Sequence, residues 1–348
     1  MKLYQSVLFP ILLFLSACSC QIPEAPADES LTIMTWNVQN LFDDISSGRE
    51  YPEFDPEKSD WGEDLLRMRL ENIKEVIFSV QKDGPDIIML QEVENRSVLE
   101  RLNRDYLNEA YPYLDAWEYD DSAIRCGYLS RLAPENVHLH FPGNYGSYPL
   151  RAVAEIHFRV GGEELVIMNN HWKSRSGGFM ATESGRIKSA AVVSYRLKQL
   201  QEEGDPAVIV VGDLNGSSSD YRSGGSQTAQ IPIEYVLDTS WQDSLYIAEN
   251  PGDMSTVSDR TVLFSPWKDM AESSGAGSYF YQNRWMRLDH LHLSSTLLDG
   301  SGWEYESARC LCDSWLCDPE GHPSRWESWN GSGYSDHFPL ILTLQKVE

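Results

Sequence analysis

The stretch VVGDLNGSSSDY, residues 210–221, places a carboxylate, Asp213, two residues before a carboxamide, Asn215, where an apolar run gives way to a polar one. In an extended chain, residues two apart share a face, so these side chains point the same way. Alone the pair is indistinguishable from a turn, because Asp, Asn, Gly and Ser are the ordinary residues of turns. The pattern recurs, however. Apolar runs carry Asn37, Glu92, Asn170 with His171, Asp213 with Asn215, and Asp336 with His337 at one end. Carboxylates and amides hold hard divalent cations, and imidazoles move protons near neutral pH. Strand ends of packed sheets can converge on one rim, and sites are built on such rims.

Those residues need strands and helices to position them. The run from Leu31 predicts a strand ending at Asn37, PDIIMLQEVEN a buried strand ending near Glu92, and ELVIMNNHWKSR a strand ending at His171. AIRCGYLSRL and RAVAEIHFRV read as antiparallel strands with VGGEE as a hairpin turn, and RLDHLHLS and DHFPLILTLQ as late strands. Leu66, Leu70, Ile73, Ile77 and Val80 recur at helical spacing, predicting a helix over 61–80. Further helices are predicted from Glu92 to about Leu107 and over 184–201. His138, His140, His290 and His292 alternate with apolar residues and read as solvent-face strand residues, and Arg186 as a solvated helix residue.

The chain has 348 residues, 41% of them hydrophobic, enough for a sizeable core. Lys2 followed by the apolar run Leu3–Leu15 reads as a signal peptide, too short for a membrane span. Leu15-Ser16-Ala17-Cys18 resembles a bacterial lipobox, which implies lipidation of Cys18. The expected organisation is a signal over 1–17, a tether over 18–30 that includes Cys20, and one domain over 31–348. The expected location is the outer face of a membrane, periplasmic or cell-surface, and the expected state is a monomer. In an exported protein, Cys317 is expected to pair with Cys310 or Cys312, which are themselves too close to pair with each other. The net charge of -25 repels polyanions and argues against a passive nucleic-acid-binding module. It leaves room for an enzyme that holds divalent cations, because these invert the local charge.

The segments TWNVQNLFD, IIMLQEVEN, GYLSR, NNHWKSR, VVGDLN, RLDHLHLS and YSDHFPL occur in this order between residues 31 and 346. Together they resemble the endonuclease/exonuclease/phosphatase superfamily, DNase I-like, which includes DNase I, abasic-site endonucleases, neutral sphingomyelinases and inositol polyphosphate 5-phosphatases. NHWKSR is similar to the NHFKSK of its secreted bacterial nucleases. The resemblance implies an α/β fold, a four-layer sandwich of two mixed β-sheets packed face to face with outer helices. It implies a metal site at Glu92, Asn37 and Asp336, with Mg²⁺ as the ion and Mn²⁺ or Ca²⁺ as alternatives. Asp213 and Asn215 match the pair that orients water and holds a phosphoryl oxygen, and His171 the histidine near the phosphate. Asp289 matches the orienter of the general base, His337, and Arg151 a phosphate contact. The sequence departs from the family at Cys126-Gly127-Tyr128-Leu129, where Asn-Ala-Ile-Leu usually precedes Ser-Arg. Tyr119 is merely the nearest residue to a tyrosine that abasic endonucleases use.

In-line hydrolysis of a phosphodiester needs a cation to screen the phosphoryl oxygens, a base to take a proton from water, and donors for the transition state. The matched residues supply all three without a Cys or Ser nucleophile. Basic residues collect beside the motifs, namely Arg151, Lys173, Arg175, Arg186, Lys188, Arg284 and Arg287, and Trp172, Phe179, Tyr281 and Trp285 adjoin them. Arg151, Lys173 and Arg175 are the expected contacts to substrate phosphate. A basic rim with stacking rings suits a polynucleotide, so the expected activity is that of an exported nuclease cleaving DNA or RNA. One rival is a sphingomyelinase or an inositol or phospholipid phosphatase, since Trp303, Trp315, Trp326 and Trp329 crowd the C-terminal part of a tethered protein. The other is a non-catalytic surface lipoprotein that kept the fold as a binding module.

Overall fold

Apolar runs that alternate into two different cores become the central strands of two sheets. The structure, a computed structural model, describes residues 29–118, 122–216, 245–254, 261–274 and 276–347. Cys18, Cys20, Tyr119, the expected signal and nearly all of the expected tether lie outside the described residues, as do 217–221 of the opening stretch. The first sheet contains β1 (Ser30–Leu41), β2 (Ile87–Val93), β3 (Tyr113–Asp115), β4 (Arg125–Ser130), β16 (Gly302–Cys310) and β17 (Leu340–Val347), in the order β16-β17-β1-β2-β4-β3. The second contains β5 (Pro134–His140), β8 (Val153–Val160), β9 (Glu163–His171), β10 (Ala207–Asp213), β11 (Leu245–Ala248), β12 (Thr261–Phe264) and β15 (Asp289–Ser294), in the order β11-β12-β15-β10-β9-β8-β5. Two small hairpins pair β6 (Asn144–Tyr145) with β7 (Tyr148–Pro149), and β13 (Tyr279–Tyr281) with β14 (Arg284–Met286).

Both large sheets are mixed. β1 runs parallel to β2 and antiparallel to β17, and β10 runs parallel to β9 and antiparallel to β15. The parallel pairs require crossovers, which α1 (Glu63–Val80) and α3 (Phe179–Glu203) provide; α2 (Arg96–Tyr106) follows β2. Ile209 and Val211 of β10 face the core between the sheets, together with Ile156, Ile167 and Leu291. Val208 and Val210 face a second core with Ala190, Val193 and Leu197 of α3. That double coverage explains the unbroken apolar run before Asp213. On the other side Leu66, Leu70, Ile73 and Ile77 of α1 are fully buried. The result is the expected four-layer sandwich. Among the described residues no helix is long and apolar enough to cross a membrane.

Several local expectations are corrected. α3 begins at Phe179 rather than 184, and Arg186 is buried rather than solvated. Its guanidinium donates to the carbonyls of Lys173 and Phe179 (2.9 and 2.7 Å) and pairs with Glu183 at 2.6 Å, stitching the start of the helix to the exit of β9. His290 and His292 are also buried, because β15 is an interior strand flanked by β10 and β12. Their rings stack 4.9 Å apart, and burial pushes both imidazoles down. His138 and His140, on the edge strand β5, keep the expected exposure in full and in part. The expected disulfide is not formed. Cys310, Cys312 and Cys317 are not joined to one another, with Cys310 packed in the core and the Cys317 sulfur turned to the carbonyl of Asp313 at 3.4 Å. Trp303 and Trp326 are core residues, whereas Trp329 is 76% exposed.

Candidate active site

The registers bring the strand ends to one rim. Asn37 lies opposite Gln91 across β1 and β2, and Asp213 lies between His171 of β9 and Asp289 of β15. Gly212 makes the last step of β10 feasible. At φ 118° it passes so close to β9 that a Cβ would stand 2.0 Å from the Asn170 carbonyl oxygen. Instead of stopping at Asn37, β1 continues to Leu41 through an irregularity, and β2 has another between Leu90 and Val93. Gln39 (φ 48°), Asn40 (φ 58°) and Glu92 (φ 66°) there adopt left-handed backbone, as Asn215 (φ 51°) does after β10. Regular alternation would send Glu92 to the face opposite Gln91. The left-handed step turns its carboxylate toward Asn37 instead, as bulges beside sites do.

The cluster centres on Asp213. Asn37 Nδ2 donates to Asp213 Oδ2 (3.1 Å) and to Glu92 Oε1 (3.2 Å), while Asn37 Oδ1 accepts from the Gln39 N–H (3.0 Å). The Asn40 N–H donates to Glu92 Oε2 at 2.9 Å. His171 Nε2 stands 3.7 Å from both carboxylates, beyond direct hydrogen bonding but close enough to share an oxygen with them. His337 Nδ1 meets Asp289 Oδ2 at 2.7 Å, leaving Nε2 facing Asp213 Oδ2 across 4.0 Å. Ser278 Oγ donates to the same Asp289 oxygen at 2.6 Å. Behind this rim an amide bridge ties the sheets together, with Gln91 Nε2 donating to Asn169 Oδ1 at 2.7 Å.

Charge is concentrated where water is scarce. Burial raises the pKa of Glu92, and the Asp336 carboxylate adds to this against the opposing charges of Arg151 and His337. Burial likewise raises Asp213 to about 7, with His337 opposing and Asp289 adding. For His337 burial disfavours the cation, but Asp289, joined by Asp213 and Asp336, outweighs it and lifts the imidazole to about 10. Burial holds His171 well below its usual range, and the charge of Arg151 reinforces that. Carboxylates held in the neutral direction and a histidine held in the charged direction mark a site with a surplus of negative charge. The donor set fits a hard divalent cation, which would relieve that surplus. Glu92 and Asp336 offer the oxygens for it. Asn37, with its amide nitrogen toward the carboxylates, acts here as a bridge between Glu92 and Asp213.

The remaining expected residues separate. The Asn215 N–H donates to Asp213 Oδ1 at 2.9 Å, and its side-chain amide donates to the Trp172 carbonyl at 3.3 Å, closing the turn. Arg175 Nε donates to the Asn215 carbonyl at 2.8 Å, so it braces that turn. Arg151 and Lys173 lie beside the cluster and line a cavity next to it. Four further residues build the site. Gln39 accepts from the Asp336 N–H (2.9 Å) and the Trp326 N–H (2.8 Å). Ser335 Oγ donates to the Asn37 carbonyl at 2.7 Å, and Ser278 holds Asp289. Arg69, buried below the rim, donates to the Val38 and Tyr334 carbonyls and lies 4.9 Å over the Trp326 ring. Gln39 and Ser335 sit inside recognisable segments and could have been noticed; Ser278 and Arg69 carry no sequence signal.

The sequence matches the profile of the Endonuclease/Exonuclease/phosphatase family over residues 32–229. No curated protein sequence matches it significantly. Three similar solved structures illustrate the likeness. TDP2 of D. rerio complexed with single strand DNA product has a TM-score of 0.55 and 16% identity, covering 92% of this chain and 100% of that one. An endonuclease/exonuclease/phosphatase family protein from Bacteroides thetaiotaomicron has a TM-score of 0.54 and 17% identity, covering 92% and 98%. The mannosyl-6-phosphatase Bt3783 of Bacteroides thetaiotaomicron VPI-5482 has a TM-score of 0.52 and 18% identity, covering 90% and 99%. At these identities the likeness is one of fold.

Proposed function

The chain belongs to the endonuclease/exonuclease/phosphatase family, hydrolases of phosphoester bonds, and on that premise we propose that it is a divalent-metal-dependent phosphodiester hydrolase with a nucleic acid as substrate. The observation that carries the reading is the convergence on Asp213 Oδ2 of Asn37 Nδ2 at 3.1 Å, His171 Nε2 at 3.7 Å and His337 Nε2 at 4.0 Å. The gap between His337 and Asp213 admits a water, which Asp213 orients. His337 Nε2 would take its proton as the neutral imidazole, a form that a bound divalent cation would favour by offsetting the carboxylates that hold the ring charged. Asp289 fixes the tautomer by accepting from His337 Nδ1 and stabilises the imidazolium that forms. His171 Nε2 and Arg151 face the negative charge that develops on the phosphoryl oxygens. Glu92 and Asp336 would hold a divalent cation, Mg²⁺ by preference for hard oxygens, which when bound supplies positive charge at those oxygens.

The nucleic-acid assignment rests on the resemblance of NHWKSR and on the cations at the centre. It draws on fewer of them than the sequence offers, since Arg186 is buried and Arg175 braces a turn. The fold also accommodates nucleic acid in D. rerio TDP2, which was solved with a single strand DNA product. A phospholipid substrate is less favoured, because Trp303 and Trp326 lie in the core, which leaves only Trp315 and Trp329 of that group for a membrane interface. Export and anchoring through Cys18 rest on the sequence of residues 15–18. The test of function is hydrolysis of plasmid DNA, RNA, sphingomyelin and bis-p-nitrophenyl phosphate, with Mg²⁺ and with EDTA. Activity on a nucleic acid that EDTA abolishes and Mg²⁺ restores is expected. Glu92→Gln should raise the metal requirement sharply. Full activity in EDTA, or hydrolysis of sphingomyelin alone, overturns the proposal.

A further inference from the structure

A cavity of about 450 Å³ opens beside the catalytic cluster. Tyr51, from the loop after β1, forms one wall, and Tyr145 and Tyr148 of the β6–β7 hairpin form another. Arg151, Lys173 and Thr182 complete the part that matters here. Among the described residues no Asp or Glu lines it, although the chain carries 53 acidic residues against 28 Lys and Arg. A lining that places Arg151 and Lys173 together, with no described carboxylate, suits a negatively charged group. Among the described residues neither cation forms an ion pair, and Lys173 Nζ instead stands 5.7 Å from the centre of the Tyr145 ring. Burial lowers the Lys173 pKa, with Arg151 and then Arg186 adding, so an anion bound beside it would favour its charged form. The pocket is continuous with the reaction centre in charge as well as in sequence. Arg151 acts on both Glu92 and His171, and Lys173, two residues past His171, acts on His171 too.

Size and shape narrow the occupant. Small-molecule sites run to about 300–1,000 Å³, and this cavity is near the lower end. Tyrosine walls offer flat faces for a ring and hydroxyls for its polar edge. We propose that this cavity binds a single ring-bearing unit of the substrate that carries its own anionic group, a phosphorylated nucleoside or a phosphorylated sugar, beside the ester that is cut. The inference rests on the phosphoester-hydrolase reading and sharpens it. The enzyme then acts at a phosphate-bearing end, or on a small phosphorylated compound, in preference to the interior of a long strand.

Binding to metal-free protein tests the cavity apart from catalysis. Calorimetry compares thymidine 5′-monophosphate with thymidine, glucose 6-phosphate with glucose, and inorganic phosphate alone. In at least one ring series the phosphate should tighten binding tenfold or more, and the series that responds identifies nucleoside or sugar. Lys173→Met should reduce that advantage to threefold or less. Tyr148→Ala, at a residue 75% exposed and therefore safe for folding, should weaken the phosphorylated ring at least fivefold. Equal binding of phosphorylated and unphosphorylated rings in both series overturns the proposal, as does an advantage that survives Lys173→Met or inorganic phosphate binding as tightly as the phosphorylated ring that responds. Where the nucleoside series responds, the dinucleotide pTpT should with Mg²⁺ show a KM at least tenfold below that of TpT, and equal KM values then overturn the proposal. Tight binding as expected, with no ester hydrolysed, would sink the catalytic reading and leave the cavity assignment standing.

Discussion

Asp213→Asn should leave the protein at least as stable at pH 8 as the wild type while removing its turnover. The side chain is 2% exposed, and burial raises its pKa from 3.8 to about 7, against His337 and with Asp289. A displacement of about 3 pH units at ~1.4 kcal/mol each sets an upper bound of ~4 kcal/mol on the folding cost of the ionised form. The sign follows from linkage. A carboxyl whose folded pKa is raised holds its proton more tightly when folded, so its contribution is complete below about pH 4 and is lost as pH rises through about 7. Asparagine does not titrate, so the gap in its favour opens across that window. Against it, an amide NH₂ replaces one oxygen and meets either Asn37 Nδ2 or the Asn215 N–H, a mismatch of about 1–3 kcal/mol. The net at pH 8 is ~1–3 kcal/mol toward the variant, or roughly 2–6 °C at ~2 °C per kcal/mol for a chain of this size. Turnover should fall about a hundredfold or more, the scale of losing one positioned acid–base group. The assay pairs melting of metal-free protein at pH 5 and pH 8 with kcat on bis-p-nitrophenyl phosphate in Mg²⁺. A variant that melts below wild type by the same margin at both pH values, with kcat within about threefold, would show that Asp213 only shapes a turn.

Ser278→Ala removes one charge-assisted hydrogen bond to Asp289, worth ~1.5–3 kcal/mol. It should lower kcat about tenfold with KM little changed, and an unchanged kcat would deny Ser278 a positioning role. Glu94 accepts from the Asp43 N–H at 2.7 Å, and burial raises it to about 8, with that hydrogen bond opposing and Asp43 and Glu50 adding. Its contribution to stability is therefore present below about pH 4.5 and lost as pH rises through about 8. Glu94→Gln should flatten the fall of Tm between pH 5 and pH 8, and an unaltered slope would contradict this. Cys18→Ser should move the protein from the membrane fraction to the soluble fraction; a wild type that is already soluble rules out the lipid anchor.

Periodicity revealed most of the architecture because burial imposes it directly. Leu66, Leu70, Ile73 and Ile77 fall on one face of α1 since only that face meets the sheet. The same logic misjudged His290 and His292, where alternation identified the outward face but not the layer covering it. Arg186 was misread because a helix-start arginine looks solvated until the neighbouring carbonyls of Lys173 and Phe179 are placed around it. For the site, ordered motifs pointed to residues that the structure does bring together, Asn37, Glu92, His171, Asp213, Asp289 and His337. They did not show that Asn37 bridges two carboxylates or that Arg175 braces the Asn215 turn. Contacts such as Gln39 with Trp326, 287 residues apart, leave no local pattern to read.

The left-handed backbone at Glu92 bears on how such a protein evolves. A non-glycine, non-asparagine residue at φ 66° carries a conformational penalty of the order of 1–2 kcal/mol. Glycine would adopt the same backbone without it, and would also remove a carboxylate that burial disfavours. Selection for stability alone would therefore drift this position toward glycine within a lineage that no longer needed the reaction. Were homologues to keep glutamate there against that gradient, an activity under selection would account for it, and a lineage that uses the scaffold merely to bind would have no reason to do so. Among kindred sequences, a glycine at this one position should identify the lineages that have abandoned chemistry.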